Sequence, residues 1–168
     1  GDVLRRRRYY DQAITTYEEA YLLYLRHHIE HDPTDILINL ARLFRIRNSH
    51  DDANYYLKQA ETQHKIERSL YRIYIERAKV AFETNDRREF VRLREEMKKM
   101  KQQKGYRYKH DEDVLDIMDH AMTSDISQWK DKAKTVCTDQ ELLRIIEIYC
   151  KHNNLWEEAC NTFQEEVA

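Results

Sequence analysis

Apolar positions in this chain recur at three- and four-residue intervals inside polar surroundings. In NSHDDANYYLKQAE, Asn48 to Glu61, the residues Ala53, Leu57 and Ala60 fall on one line of a helix. The polar remainder is that helix's wet side. The same periodicity predicts helices along nearly the whole chain. A stub covers Asp2 to Arg7, and a long helix runs from Tyr10 to about Glu30 with Ala13, Ile14, Tyr17, Ala20, Tyr21, Tyr24 and Leu25 on its apolar stripe. Asp32-Pro33 separates it from the next, since proline suits a first turn. Further helices span roughly Thr34 to Arg47, Asp51 to Gln63, Glu67 to Glu83 and Arg87 to Gln103. Gly105 stops the last of these. HDEDVLDIMDHAM begins another with acids in its first turn, and Ser124 or Asp125 caps a helix holding Trp129 and Ala133. Thr138 or Asp139 caps QELLRIIEIYCKH, and a final helix covers Leu155 to Glu166. Connections this short favour antiparallel neighbours.

The pattern repeats. Ala53 has Ala41 twelve residues before it and Asn48 five before it. Phe90 has Ala78 and Asn85 at the same offsets, and Ala159 has Asn154 five before it. Ala13 begins the series with Tyr17 and Ala20 following on its face. A helix-turn-helix unit needs small residues where its two helices touch. Its turn needs a residue that tolerates the left-handed region, and asparagine is the best choice after glycine. Acids such as Asp51 and Asp52 then enter the first turn of the second helix, where the dipole favours them.

Composition narrows the picture. Two glycines and one proline in 168 residues leave little room for hairpins or glycine-rich nucleotide turns. Charged residues make up 36% and mean hydropathy is −0.93, yet 41% of the chain is hydrophobic and twelve residues are tyrosine, so a packed core is expected. A net charge of −2 supplies no global pull toward nucleic acid or membrane. No run of about 18 apolar residues occurs. Cys137, Cys150 and Cys160 read as reduced thiols, which suits the cytoplasm, with the nucleus as the alternative.

This arrangement resembles the tetratricopeptide repeat family, whose unit is a helix pair of about 34 residues. Leu37, Leu40, Ala41, Phe44, Ala53, Leu57 and Ala60 carry the resemblance in the unit that opens near Thr34. Leu143, Ile146, Cys150, Ala159 and Phe163 carry it in the final unit. Around Ala78 and Phe90 the match thins, because Arg94 and Met97 replace smaller or apolar residues. Ala121 and Ala133 keep the twelve-residue spacing. The resemblance covers most of residues 10–104 and 139–168. It implies an all-α fold of antiparallel helix pairs stacked as an irregular right-handed α-solenoid. Residues 1–104 would form the first repeats, 105–110 a basic loop, and 111–168 further hairpins ending in a repeat-like pair. The first unit opens part-way through, as a piece of a longer array would.

In that family the first helix of each pair lines a concave groove. By residue-wise transfer this groove would show Asp35, Ile38, Asn39, Arg42 and Arg45 from one unit, and Arg72, Ile75, Glu76, Lys79 and Phe82 from the next. Asn39 matches a position that holds a peptide's terminal carboxylate in chaperone-binding members. Glu76 stands where those members carry a cation, which points away from such a clamp. Asn39, Arg42, Arg45, Arg72 and Lys79 are therefore expected to bind a protein partner, an acidic or amphipathic peptide. The alternative is that these are ordinary wet residues.

Other candidates read more plainly as surface. Arg5 to Arg8 would be a solvated helix end or a basic contact for nucleic acid or an acidic partner. KKMKQQKGYRYKH, Lys98 to His110, interleaves basic residues with tyrosines as single-strand binders do, but acids flank it on both sides. It is expected to be a solvated loop. His27, Glu30 and His31 have metal-compatible spacing without a third ligand. Neither a nucleophile motif nor a CxxC pair occurs, so catalysis, metal and cofactor are not expected. Trp129 and Trp156 read as core anchors. YRIYIERA, Tyr71 to Ala78, faintly resembles the HAT repeat of RNA-processing factors. The sequence therefore predicts a non-enzymatic interaction scaffold that binds a partner peptide or helix, with an RNA-associated helical-repeat protein as the alternative.

Overall fold

A computed structural model of the chain describes residues 2–27 and 32–155. Those residues form eight α-helices and no strand: α1 (Asp2–His27), α2 (Thr34–Ile46), α3 (His50–Gln63), α4 (Glu67–Glu83), α5 (Arg87–Lys104), α6 (Lys109–Thr123), α7 (Ile126–Val136) and α8 (Asp139–His152). The predicted helix over Leu155 to Glu166 lies outside the described residues beyond Leu155, together with Trp156, Ala159, Cys160 and Phe163. His28, Glu30 and His31 also lie outside them.

The asparagines do what their spacing predicts. Asn48, Asn85 and Asn154 have φ of 62°, 57° and 57°, all left-handed. Each closes a helix with paired bonds. Asn48 N–H donates to Arg45 O at 2.9 Å, and Ser49 N–H to Phe44 O at 2.9 Å. Asn85 and Asp86 repeat this onto Phe82 and Ala81, as do Asn154 and Leu155 onto Lys151 and Cys150. These are Schellman closures that satisfy carbonyls the helix end would otherwise leave open. Gly105, at φ 67°, ends α5. Thr138 caps α8 through a reciprocal pair with Glu141, the two bonds being 3.2 and 2.8 Å long.

Two sequence expectations change. The predicted stub over Asp2 to Arg7 and the helix from Tyr10 are one continuous helix, α1. No breaker separates them, and arginine and tyrosine both tolerate helix interiors. Arg5 to Arg8 therefore lie in the first half of α1 and not at a helix C terminus. The basic stretch Lys98 to His110 is not one loop either. Lys98 to Lys104 complete α5, Lys109 opens α6, and only the four residues between them connect the two. Within that link Tyr106 is buried, 5.5 Å from the Tyr71 ring with the Arg68 guanidinium 5.9 Å from its own ring.

The chain divides into two compact units. The first comprises Gly1–Val80 and Arg92–Tyr106, the second Ala81–Val91 and Arg107–Ala168. In the first, α1 packs on α2 and α2 pairs with α3. Its core joins Leu37, Ile38, Ala41, Ala53, Leu57, Ala60, Ile73 and Val80, with Tyr21, Phe44 and Tyr56 packed against it. Ala41 and Ala53 are 1% and 0% exposed, so the small residues of the predicted seam do sit where the hairpin closes. Phe44 and Tyr56 stack beside them at 5.5 Å. In the second unit α6 and α7 form a hairpin, with α8 packed against both. Ala121 and Ala133 are buried here, and Trp129 meets Tyr149 edge-on at 5.3 Å.

Candidate binding surface on α2 and α4

Side chains at positions 35, 39 and 42 share one face of α2, and those at 72, 76 and 79 share one face of α4. Both sets belong to the first unit. Two carboxylates tie the helices together. Asp35 pairs with Arg72. Glu76 accepts from Arg42 Nε at 3.3 Å and Arg42 Nη2 at 3.2 Å, both on Oε1. Arg45 Nε lies 3.6 Å from Oε2 of the same carboxylate, and Lys79 Nζ 3.6 Å from Oε1.

Glu76 is buried, and desolvation alone would push its pKa up. The charges of Lys79, Arg45 and Arg42, together with the Arg42 hydrogen bond, outweigh that and hold the carboxyl below its ordinary range. Glu76 is thus ionised at neutral pH and anchors three cations. The five expected partner-binding residues fall into two groups. Arg45 and Lys79 lie beneath the surface, 7% and 5% exposed, with their charges turned to Glu76. Asn39 is half-buried, while the Arg42 side chain is 45% exposed and that of Arg72 33%. Of the five, Asn39, Arg42 and Arg72 reach solvent, and Arg45 and Lys79 lie beneath them.

Sequence reasoning treated Glu76 only as a departure from a family pattern and missed its organising role. The available signal was its spacing. Glu76 stands 34 residues after Arg42, one repeat length, and lies between Arg72 and Lys79 on one face of α4.

A second structural tie was also missed. Asp32, in the link before α2, accepts from Thr34 N–H at 2.9 Å, Lys65 N–H at 3.1 Å and Ser69 O–H at 3.3 Å, as well as from the Thr34 hydroxyl. Partial burial opposes its ionisation, but these hydrogen bonds prevail and lower its pKa. In the second unit, Glu83 takes a bidentate fork from Arg144 at 2.6 and 3.0 Å, and its backbone carbonyl accepts from His152 Nε2–H at 3.1 Å.

The remaining candidates are placed as follows. Arg5 to Arg8 are exposed along α1, and His27 is exposed at its end. His110 contacts the Glu141 carboxylate at 2.9 Å. Cys150 carries a buried thiol and Cys137 a half-buried one. Tyr71, Ile73, Ile75 and Ala78, from the stretch that suggested an RNA-associated repeat, are all buried. Among the described residues no group of three or more His, Cys, Asp or Glu side chains converges as metal ligands would. No helix among them is long and apolar enough to cross a membrane. No protein-family model, curated protein or solved structure matches the chain.

Proposed function

We propose that the chain is a tetratricopeptide-like array of helical hairpins, stacked as an irregular right-handed solenoid, that works as a non-enzymatic interaction scaffold. Its ligand is an acidic or amphipathic peptide or helix of a protein partner, received on the α2 and α4 face. One observation carries the reading. Two partly exposed arginines stand on α2 and α4, Arg42 held by Glu76 and Arg72 by Asp35. A guanidinium already oriented loses less freedom when it meets an incoming carboxylate, so more of the contact energy survives as affinity.

The same ion pairs determine how the reading must be tested. Reversing the charge of Lys79 would bury an acid beside Glu76 and unfold the unit, so loss of binding would mean nothing. Neutralising the two exposed arginines avoids this, since Arg45 and Lys79 still compensate Glu76. We expect immobilised protein to retain acidic helical peptides from an array of acidic, neutral and basic sequences. Arg42→Gln and Arg72→Gln should each weaken capture about tenfold or more, the usual worth of a charge-assisted hydrogen bond, with far-ultraviolet circular dichroism unchanged. Equal capture by the variants would remove the groove from consideration.

A further inference from the structure

The outward face of α1 is written to match itself in reverse. Ile14 is buried against the body of the first unit, and the opposite side of the helix is exposed. Along that side run Leu4, Arg8, Gln12, Thr15, Glu19 and Leu23, spaced by threes and fours as a helical stripe requires. Leu4 and Leu23 are 66% and 50% exposed, unusually bare for leucines at both ends of one stripe. Turn the stripe end for end about the point between Ala13 and Ile14. Leu4 then meets Leu23, Arg8 meets Glu19, and Gln12 meets Thr15.

Three further observations fit a partner that is another α1. First, the acids on the inner flank are already engaged, Asp11 with Arg47 at 2.8 Å and Glu18 with the Tyr56 hydroxyl, whereas Arg8 and Glu19 face outward. Second, the hydroxyls of Thr15 and Thr16 donate back to Asp11 O at 3.0 Å and Gln12 O at 2.9 Å. Neither hydroxyl needs an acceptor from a partner, so the middle of the face is less polar than its sequence suggests. Third, Arg5 to Arg8 would oppose one another in a parallel pair and lie far apart in an antiparallel one, so charge selects one orientation.

We propose that α1 is a homodimerisation helix, pairing antiparallel with α1 of a second copy across a two-fold axis near Ala13 and Ile14. An isologous contact of this kind uses each complementary pair twice: two Arg8–Glu19 ion pairs and two Leu4–Leu23 contacts. The stripe spans roughly 29 Å of helix. One helix face of that length is at the small end of specific interfaces, so a concentration-dependent monomer–dimer equilibrium is expected.

Sedimentation velocity over a range of protein concentrations tests this. The unaltered chain should pass from monomer to dimer as concentration rises, and the dimer should weaken with added salt. Arg8→Glu and Glu19→Arg should each weaken dimerisation at least tenfold by setting like charges opposite one another. The double variant should recover most of the loss, because position 8 of one copy meets position 19 of the other. Both positions are exposed, so circular dichroism should be the same in all four proteins. Arg42→Gln, on the proposed peptide surface, should dimerise as the unaltered chain does, which separates the two proposals. A chain that stays monomeric up to high micromolar concentration overturns the inference, as does a double variant no better than the singles. A monomer that instead binds an acidic helical peptide through α1 would assign the face to a different partner and overturn it too.

Discussion

Glu76 is where removing one side chain should do most damage. It is buried with Arg45 and Lys79 beside it and Arg42 above, so three cations share its carboxylate. Glu76→Gln keeps the shape and deletes the charge. Breaking a buried ion pair from one side typically costs about 3 to 5 kcal/mol, because the surviving charges keep their desolvation penalty. Urea unfolding should show a loss of about 3 kcal/mol, at the lower end because Arg42 can turn to solvent. Asp35 makes the contrast. Its side chain is 74% exposed, so Asp35→Asn should cost no more than about 1 kcal/mol despite a close contact with Arg72. If the two substitutions cost the same, burial is not what gives Glu76 its weight. The cations of this surface were legible in the sequence, because transfer of positions needs only spacing on one helix. Their division into exposed and buried was not, since that depends on which side chains α4 brings against α2. Arg42 and Arg45 look equivalent along the chain. They differ by one turn and by whether they are covered.

At the scale of elements the turns were the most legible feature. Asparagine at 48, 85 and 154 has a single local reason, a left-handed residue at a helix end, and local reasons survive folding. A substitution series at Asn48 separates backbone strain from side-chain effects. Asn48→Ala keeps a β-carbon at φ 62° but removes the side-chain amide that lets asparagine tolerate the left-handed region, and should lower stability by about 1 kcal/mol. Asn48→Gly relieves the same strain and should be neutral or slightly stabilising, read from thermal midpoints. If alanine and glycine behave alike, the turn is held by side-chain bonds of Asn48 and not by its φ. Helix continuity in α1 was less legible. Four arginines look like an ending when a family unit is laid over them, yet the backbone runs through from Asp2 to His27 without interruption. Propensity permits a helix there, and no residue stops it. The outward stripe of α1 was likewise present in the sequence. It has no meaning until Ile14 shows which side faces the body, because a helix with apolar residues on both sides has no preferred face by pattern alone.

At the scale of the whole molecule the two units are expected to respond to acid differently, because they hold different groups. In the second unit burial lowers the pKa of His152, with Lys151 adding to the effect, while the Glu83 carbonyl and carboxylate only partly oppose it. The folded state therefore prefers the neutral ring, whose Nε2–H donates to Glu83 O, with Phe82 edge-on at 6.2 Å. An unfolded chain takes up this proton near the ordinary histidine value of about 6.5, before the folded chain does. Between the two values the unfolded state binds more protons, so stability rises with pH and falls on acidification. The first unit relies on Asp32 and Glu76, both lowered carboxyls. Their contribution is complete above the unfolded carboxylate range of about 4 and is lost only as pH falls through the folded values. Acidifying from pH 7.5 to about 5.5 should therefore loosen the second unit while these two groups leave the first untouched. Trp129 is buried in the second unit, so in a Trp156→Phe background the urea midpoint by tryptophan fluorescence should fall across this window. Hydrogen exchange should show α6 to α8 losing protection before α2 and α3. His152→Gln keeps a donor for the Glu83 carbonyl and removes the titration, so its fluorescence midpoint should be flat from pH 7.5 to 5.5. A slope that persists in this variant would assign the acid sensitivity to another group. A loss of protection that begins in α2 and α3 would place it in the other unit.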